Sequence, residues 1–390
     1  MFKNAGDAFV IFAMAIFAVI LFTCVSSDTA QAVSTAEYAK LKALAEEGDA
    51  ESQIALGDIY REGNGVGQDY DEAVKWYNKA ADQGNAQAQC KLGEMYHAGE
   101  GVKRSYAEAR KWWVKSAEQG NADAQYGLGV MYYNSEGVKQ DYAESARWYR
   151  MAADQGHLEA QLNLGNMYYQ GMGVKQDYSE SAELFRKAAE QGSAEAQKNL
   201  GIMYQNGQGV AQDYNASAKF LKKAADQGDV SAQLGLGIMF YKGDGVEKDF
   251  AEAARWYRKA ADQGNAEAQQ GLGFMYFNGE GTNQDYAEAS RWYRKAADQG
   301  NGAAQLNLGY MYEKGLGVEQ DNAQAAALYR KAAAQGDPDA QFNLAEMYRD
   351  GRGVVRDCAE SLQFYKMAAA RGHEPAQNAL KSLTNPCVNQ

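Results

Sequence analysis

The sequence predicts an all-α fold, a right-handed α/α solenoid of helix-turn-helix repeats with a 36-residue period, and two observations predict it. A glutamine follows five residues after each of a series of glycines, from Gln53 to Gln377. Those glycines recur at every thirty-sixth position without insertion or deletion, at Gly48, Gly84, Gly120, Gly156, Gly192, Gly228, Gly264, Gly300, Gly336 and Gly372. A self-repeat of this length is the signature of a stacked-repeat architecture.

The first helix of each unit, helix A, is predicted from its two ends. Gly48 ends the preceding helix in the left-handed conformation, and Asp49 follows it as an N-cap. Gly63 ends helix A, and Gly65 follows in the loop. Gly57 lies in the middle of the helix, where glycine costs about 1 kcal/mol relative to alanine. We therefore expect an aromatic side chain of the second helix to approach the backbone at this point.

The second helix, helix B, is predicted to begin with a capping box. Asp69 and its equivalents occupy the N-cap, and Glu or Gln follows three residues later in eight of nine copies. An apolar stripe with helical spacing consists of Ala73, Trp76, Tyr77, Ala80 and Ala81. One such helix pair cannot bury its own apolar face, so neighbouring pairs must stack.

The repeated pattern resembles the Sel-one-like repeat, a relative of the tetratricopeptide repeat. In the unit that spans 262–301, the resemblance is carried by Ala266, Gln269, Leu272, Gly273, Tyr276, Gly279, Gly281, Asp285, Ala289, Trp292, Lys295, Ala296, Ala297 and Gly300. The resemblance implies that helix A lines a concave surface. It also implies a scaffold or adaptor for protein partners, as found in bacterial envelopes and in endoplasmic-reticulum quality control.

The last units depart from this pattern. Ala345 and Lys381 replace the glycine in the middle of helix A, and Asn322 and Cys358 replace a tyrosine at the start of helix B. We expect these units to be less regular than the others.

The pattern divides the chain into four segments. Residues 48–371 form nine repeats, 33–47 an N-terminal capping helix, and 372–390 a C-terminal capping helix and tail. Residues 1–32 have the layout of a secretory signal peptide, with an apolar run from Ala8 to Val25 and a small-x-small site at Ala30 to Ala32. One alternative is an uncleaved membrane anchor, because eighteen apolar residues just span a bilayer. The other is a lipoprotein, because Leu21 to Cys24 weakly resemble a lipoprotein box. In all three cases we expect the repeats to lie outside the cytoplasm, in the periplasm or secreted.

Charge and cysteine content narrow the range of partners. The formal net charge of −12 argues against nucleic acid, and against contact with membranes other than through the N-terminal segment. We expect a monomeric chain. In an oxidising compartment Cys358 and Cys387 could form a disulfide bond, whereas Cys90 is expected to be a lone thiol.

No pattern in the sequence predicts an enzyme. The Gly-x-Gly pairs, such as Gly279 and Gly281, follow no strand and close helix A in copy after copy. The three histidines are not spaced for a metal, and no cysteine and histidine are placed for nucleophilic catalysis. We therefore expect no catalytic residue, no cofactor and no metal.

The positions that vary between copies indicate where a partner binds. Positions equivalent to 54, 58 and 61 share one face of helix A, which is charged in the terminal copies and apolar in the middle ones. The candidate binding residues are Tyr126, Tyr133, Tyr169, Ile202, Ile238, Tyr241, Phe274, Phe277 and Tyr310, with Asn163, Asn199, Asn307 and Asn343 beside them. The alternative is that each of these side chains only packs against the neighbouring helix.

These observations predict an exported scaffold or adaptor that binds a protein or peptide partner on the concave face of helices A. Two alternatives remain open. One is an envelope hydrolase, since the resemblance extends to relatives with amidase-like or lactamase-like activities. The other is a passive structural spacer, whose groove would be polar.

Overall fold

The computed structural model describes residues 33–382, and within them it contains twenty α-helices and no strand. The helices are α1 (Thr35–Glu47), α2 (Ala50–Glu62), α3 (Tyr70–Asp82), α4 (Ala86–Ala98), α5 (Tyr106–Glu118), α6 (Ala122–Asn134), α7 (Tyr142–Asp154), α8 (Leu158–Gln170), α9 (Tyr178–Glu190), α10 (Ala194–Asn206), α11 (Tyr214–Asp226), α12 (Val230–Lys242), α13 (Phe250–Asp262), α14 (Ala266–Asn278), α15 (Tyr286–Asp298), α16 (Gly302–Lys314), α17 (Asn322–Ala334), α18 (Pro338–Asp350), α19 (Cys358–Ala370) and α20 (Glu374–Ser382).

The even-numbered helices from α2 to α18 are helices A, and the odd-numbered helices from α3 to α19 are helices B. Each helix packs mainly against the helices before and after it in the chain. The core is therefore a row of clusters of buried side chains between successive helices, with small residues and aromatic rings along the array. The predicted all-α solenoid of 36-residue helix pairs is confirmed.

The N-caps predicted for helix A are present. The carboxylate of Asp49 accepts a hydrogen bond from the N–H of Ser52 at 2.8 Å. In two copies a histidine occupies this position, and its Nδ1 accepts in the same way: His157 from the N–H of Ala160 at 3.3 Å, and His373 in the final helix. An imidazole nitrogen thus replaces the usual cap oxygen.

Of the two hydrogen bonds in the capping box predicted for helix B, the N-cap bond is present, but the prediction of the reciprocal bond to glutamate is wrong. Asp69 accepts a hydrogen bond from the N–H of Glu72 at 3.0 Å, as expected for an N-cap. The N–H of Asp69, however, already donates to the carbonyl of Tyr60 in helix A at 2.8 Å, and the equivalent bond occurs in all nine repeats. The glutamate therefore has no free N–H to accept from. Among the described helices the reciprocal box occurs at α1, between Ser34 and Glu37.

The glycine in the middle of helix A makes room for helix B, as predicted. A Cβ atom placed on Gly57 would lie 2.5 Å from Cε1 of Tyr77, which is fully buried. The ring of helix B therefore lies directly on the backbone of helix A. In the last repeat, Ala345 and the fully buried Tyr365 take these two positions.

The recurrent glutamine of helix A forms a polar ladder through the core. The Nε2 of Gln197 donates to the carbonyl of Ala189 at 3.2 Å, and its Oε1 accepts from Nε2 of Gln227 at 2.8 Å. The same pair of bonds recurs along the array, so that each repeat is tied to the next one. At the C-terminal end Arg371 replaces the donor glutamine, and the buried Oε1 of Gln341 has no hydrogen-bond partner within residues 33–382.

The second glycine of each loop is required by close contact between repeats. Gly101 has a φ of +64°, and a Cβ atom there would lie 2.3 Å from the carbonyl oxygen of Tyr70 in the preceding repeat. Any side chain at this position would push the loop away from the neighbouring helix B.

The N-terminal segment and one cysteine of the C-terminal tail lie outside the described range. The predicted signal peptide and its alternatives, the membrane anchor and the lipoprotein, therefore stay predictions. Among the described residues, no helix is both long and apolar enough to span a bilayer. Cys90 is free and buried, as expected, and Cys358 is disulfide-bonded. Cys387 lies outside the described residues, so its pairing with Cys358 stays a prediction.

Candidate protein-binding surface

The helix-A stripe is defined here as the side chains equivalent to positions 54, 58 and 61 on helices A. In its middle, aromatic rings of successive repeats touch. Tyr241 and Phe274 have ring centroids 6.4 Å apart at 74°, and Phe277 and Tyr310 have centroids 6.4 Å apart at 63°. These are edge-to-face contacts, a favoured geometry for aromatic pairs. Helices α12, α14 and α16 thus share an apolar band.

Each ring at position 61 also packs against the start of a helix B. Tyr133 lies 5.2 Å from Tyr142, and Tyr169 lies 5.0 Å from Tyr178, measured between centroids. Phe277 makes the same contact with a tyrosine of α15. These rings are half-buried, so part of their surface belongs to the array and part faces outwards.

The other apolar members differ in exposure. Ile202 and Ile238 are half-buried, and Ile238 packs against the core cluster around α13. Tyr310 is the most open of the predicted residues, with 42% of its surface exposed. Its ring is significant because it adjoins Phe277, so that exposed aromatic surface is continuous with the apolar band.

Tyr126 and Asn163 are engaged within the array. Tyr126 stacks on His157 with a centroid distance of 4.6 Å and lies 5.7 Å from Tyr149. Burial raises the pKa of Tyr126 to about 12, together with the charge of Glu159, and a hydrogen bond from Asn163 opposes that rise. These contacts fit the alternative that the two residues are structural.

The remaining asparagines of the row are placed differently. Asn199, Asn307 and Asn343 are half-buried, and none of their side chains hydrogen-bonds to another residue of the described range. Each amide therefore presents one acceptor and two donor hydrogens beside the stripe.

The charged ends of the stripe form closed ion-pair networks. At the N-terminal end, Arg61 contacts Glu94 at 2.7 Å and Glu100 at 3.1 Å. At the C-terminal end, Arg352 contacts Glu313 at 2.7 Å. Arginine thus neutralises the carboxylates at both ends.

Sequence reasoning missed a set of contacts that link position 61 to the loop of the next repeat, 39 residues later. Arg61 reaches Glu100, the Nε2 of His97 lies 2.6 Å from Glu136, and the hydroxyls of Tyr169 and Tyr241 donate to Gln208 and Glu280 at 3.1 and 2.9 Å. Complementary residue types at this spacing are the signal that could have revealed them. The stripe therefore also joins the repeats together.

Two titratable groups of the stripe, Cys90 and Glu94, are buried enough to shift their pKa values. Burial raises the pKa of the Cys90 thiol well above its usual range, so the thiolate that a nucleophile requires is disfavoured. Burial also raises the pKa of neighbouring Glu94, although Arg61 opposes this. Within residues 33–382, no group of histidine, cysteine and acidic side chains is arranged to hold a metal ion.

A stack of helix pairs with a constant core and one long variable stripe defines an α/α repeat protein of the scaffold class. Nine consecutive segments match the Sel1 repeat, at residues 50–85, 86–121, 122–157, 158–193, 194–229, 230–265, 266–301, 302–337 and 338–373. The chain therefore belongs to the Sel1 repeat family. Proteins built from this repeat are generally protein-interaction scaffolds rather than enzymes.

Solved structures of this fold resemble the chain closely. A protective antigen present in uropathogenic Escherichia coli strains, which displays an SLR fold, is 37% identical with a TM-score of 0.75, over 87% of this chain and 80% of that one. A Sel1 repeat protein from Oxalobacter formigenes is 36% identical with a TM-score of 0.59, over 79% and 89% of the two chains. Comparison with curated proteins gives no match.

Proposed function

We propose that this chain is an exported scaffold or adaptor that binds a segment of a partner protein along the helix-A stripe. The observation that carries the proposal is the apolar band on α12, α14 and α16, which ends in the exposed ring of Tyr310. Aromatic side chains in such positions are the usual anchors of protein interfaces.

The stripe favours a scaffold over a passive spacer. A spacer needs only the constant core and the contacts between repeats, and its outer surface would be polar. Here Ile202, Ile238 and Tyr310 place apolar surface on helices A, although the fold tolerates charge at the equivalent positions near both ends. An apolar patch rimmed by polar groups is typical of an interaction site.

Export is proposed from the layout of residues 1–32 alone. It is tested by isolating the protein from the envelope of its source cells and determining its N-terminus. A chain that begins at residue 33 supports cleavage, and an intact N-terminus in the membrane fraction supports the anchor. Recovery only from the cytoplasm would contradict export.

Partner binding is tested by capture from an envelope extract with the full chain and with a stripe variant, Ile238→Ala with Tyr310→Ala. A matched control carries Met151→Ala with Met367→Ala, since both side chains are 39% exposed and lie near the C-terminal ends of helices B. Loss of interface anchors costs on the order of 2 kcal/mol or more. We expect a protein that the wild type and the control retain and the stripe variant loses.

Far-UV circular dichroism must first show that both variants keep the helical content of the wild type. If a folded stripe variant captures the same proteins in the same yield as the control, the helix-A stripe is not the binding surface.

A further inference from the structure

We propose, on the basis of the function above, that the segment bound along the helix-A stripe is basic, an extended stretch in which lysine or arginine side chains alternate with apolar ones. Two rows of carboxylates beside the stripe point to this chemistry.

The first row lies at the start of helix A. The second residue of that helix is acidic in six of nine copies, as Glu51, Asp123, Glu159, Glu195, Glu267 and Asp339. This position precedes the stripe positions by three and seven residues, so it shares their helix face. Glu159, one member of this row, lies close enough to the stripe that its charge contributes to the raised pKa of Tyr126.

The second row lies in the loop at the other end of helix A. Glu136, Asp244 and Glu280 occupy equivalent loop positions. The hydroxyl of Tyr241 donates to Glu280 at 2.9 Å, which places this carboxylate at the border of the aromatic band. The apolar band therefore lies between carboxylates on both sides.

The protein's own cations do not balance these rows in the middle of the array. Helices A and the loops that follow them in the four central repeats, residues 158–177, 194–213, 230–249 and 266–285, carry ten carboxylates against four lysines, Lys175, Lys198, Lys242 and Lys248, which leaves 4 − 10 = −6. Lys198 lies 3.7 Å from another carboxylate, that of Asp229. Within residues 33–382, no lysine, arginine or histidine forms a salt bridge with Glu195, Asp244 or Glu267.

The two ends of the stripe show what a cation does at this surface. There, Arg61 and Arg352 lie across two neighbouring repeats and pair with carboxylates of the stripe and its loops. In the middle no such arginine exists, and a cationic side chain of the partner would complete the same pattern. Carboxylates beside low-dielectric apolar surface concentrate their field there, which favours a cation and repels an acidic segment.

The asparagine row indicates an extended backbone. Asn199 lies on α10, before the apolar band, and Asn307 lies on α16, within it; each side-chain amide offers both donors and an acceptor. An extended segment exposes its backbone N–H and C=O groups for such bonds, whereas a helix uses them internally.

The probe is a displayed library of random twelve-residue peptides, selected on the full chain. Enriched peptides are then synthesised and their affinity is measured for an acid variant, Glu195→Gln with Asp244→Asn and Glu267→Gln. The matched control, Glu190→Gln with Asp262→Asn and Asp298→Asn, has the same change in net charge at exposed ends of helices B. Tyr310→Ala with Ile238→Ala serves to locate the peptides on the stripe.

We expect basic, partly apolar peptides that bind the acid variant roughly tenfold more weakly, bind the control unchanged, and lose affinity with added salt. Neutral or acidic peptides that are lost on the Ile238 and Tyr310 variant would overturn the basic partner and leave the proposed function intact. Basic peptides that bind the acid variant as tightly as the wild type would also overturn the proposal of a basic partner. Enriched peptides indifferent to the stripe variant, or no enrichment at all, would count against both proposals.

Discussion

Helix A has an inner face, turned towards helix B and the next repeat, and an outer face that carries the helix-A stripe. Most members of the stripe are half-buried and Tyr310 is exposed, but four are buried in the core, namely Ile54, Cys90, Val130 and Leu234. On the inner face the same residues recur, as in Gln197, Leu200, Gly201 and Met203, and all of them are buried. On the outer face the equivalent of position 61 ranges from arginine to phenylalanine. An inner side chain packs against helix B and the neighbouring repeat, and this packing surface is similar in every repeat. A substitution there therefore requires a compensating substitution in the residue that it contacts. An outer side chain has fewer such constraints, because it contacts mainly the start of helix B, the stripe of the neighbouring repeat and the next loop.

Two glycines of α12 show how tightly the inner face is packed compared with the rest of the helix. A Cβ atom on Gly237, on the inner face, would lie 2.8 Å from the ring of Tyr257, whereas one on Gly235 would lie 3.4 Å from Leu221. We expect Gly237→Ala to lower the free energy of unfolding by about 1–3 kcal/mol through overpacking. Gly235→Ala should raise it by up to about 1 kcal/mol through helix propensity. Urea unfolding followed by tryptophan fluorescence measures both, and equal signs for the two variants would contradict the distinction.

The glutamine ladder is the polar part of the inner face. Gln197→Ala removes the bonds to Ala189 and Gln227 and leaves a donor of Gln227 without its partner. We expect a loss of about 1–2 kcal/mol in the free energy of unfolding. Gln341→Ala is the matched control, because the Oε1 of Gln341 has no partner in the described part of the chain. Because Gln341 still donates to the carbonyl of Ala333, a loss as large at Gln341 as at Gln197 would show that the bond between the two glutamines contributes nothing.

Local rules predicted most of the fold. Caps and the apolar stripe of helix B are read from residues close in sequence, and the 36-residue repeat is read from their exact recurrence. The ladder from Gln197 to Gln227 and the links from position 61 to the next loop could not be read in this way, because they join residues 30 and 39 apart. For the stripe, helical periodicity predicts which positions share a face. The exposure of these positions to a partner depends on how the repeats stack, and the stacking cannot be predicted from residues close in sequence.

The C-terminal end offers a gain in stability instead of a loss. Arg371 stands where the other repeats have the donor glutamine of the ladder, and the buried Oε1 of Gln341 has no described partner. Arg371→Gln should supply that donor and raise the free energy of unfolding by about 1 kcal/mol. Thermal unfolding measures the change, with Arg356→Gln as a control for the lost charge. An equal gain in both variants would assign the effect to charge.

The smallest effect belongs to the charged end of the outer face, and it depends on pH. The side chain of Glu313 is only 11% exposed. Burial alone would raise its pKa, but hydrogen bonds from Lys314, Arg352 and Tyr329 outweigh burial and hold the pKa below its ordinary value of 4.5. A carboxylate whose pKa is lowered by folding stabilises the fold above the unfolded pKa, and this contribution disappears as the pH falls through the folded pKa. Glu313→Gln should therefore cost about 0.5–1 kcal/mol at neutral pH.

That difference between wild type and Glu313→Gln should shrink as the pH falls below the ordinary pKa, because the protonated carboxyl and the amide are then both neutral. Urea unfolding at a series of pH values measures it, and Glu319→Gln, in the following loop, serves as the control. If the difference does not change with pH, Glu313 acts through packing instead of charge. The ends of the stripe would then obey the same rule as the inner face, and the comparison between the two faces would hold only for the middle of the array.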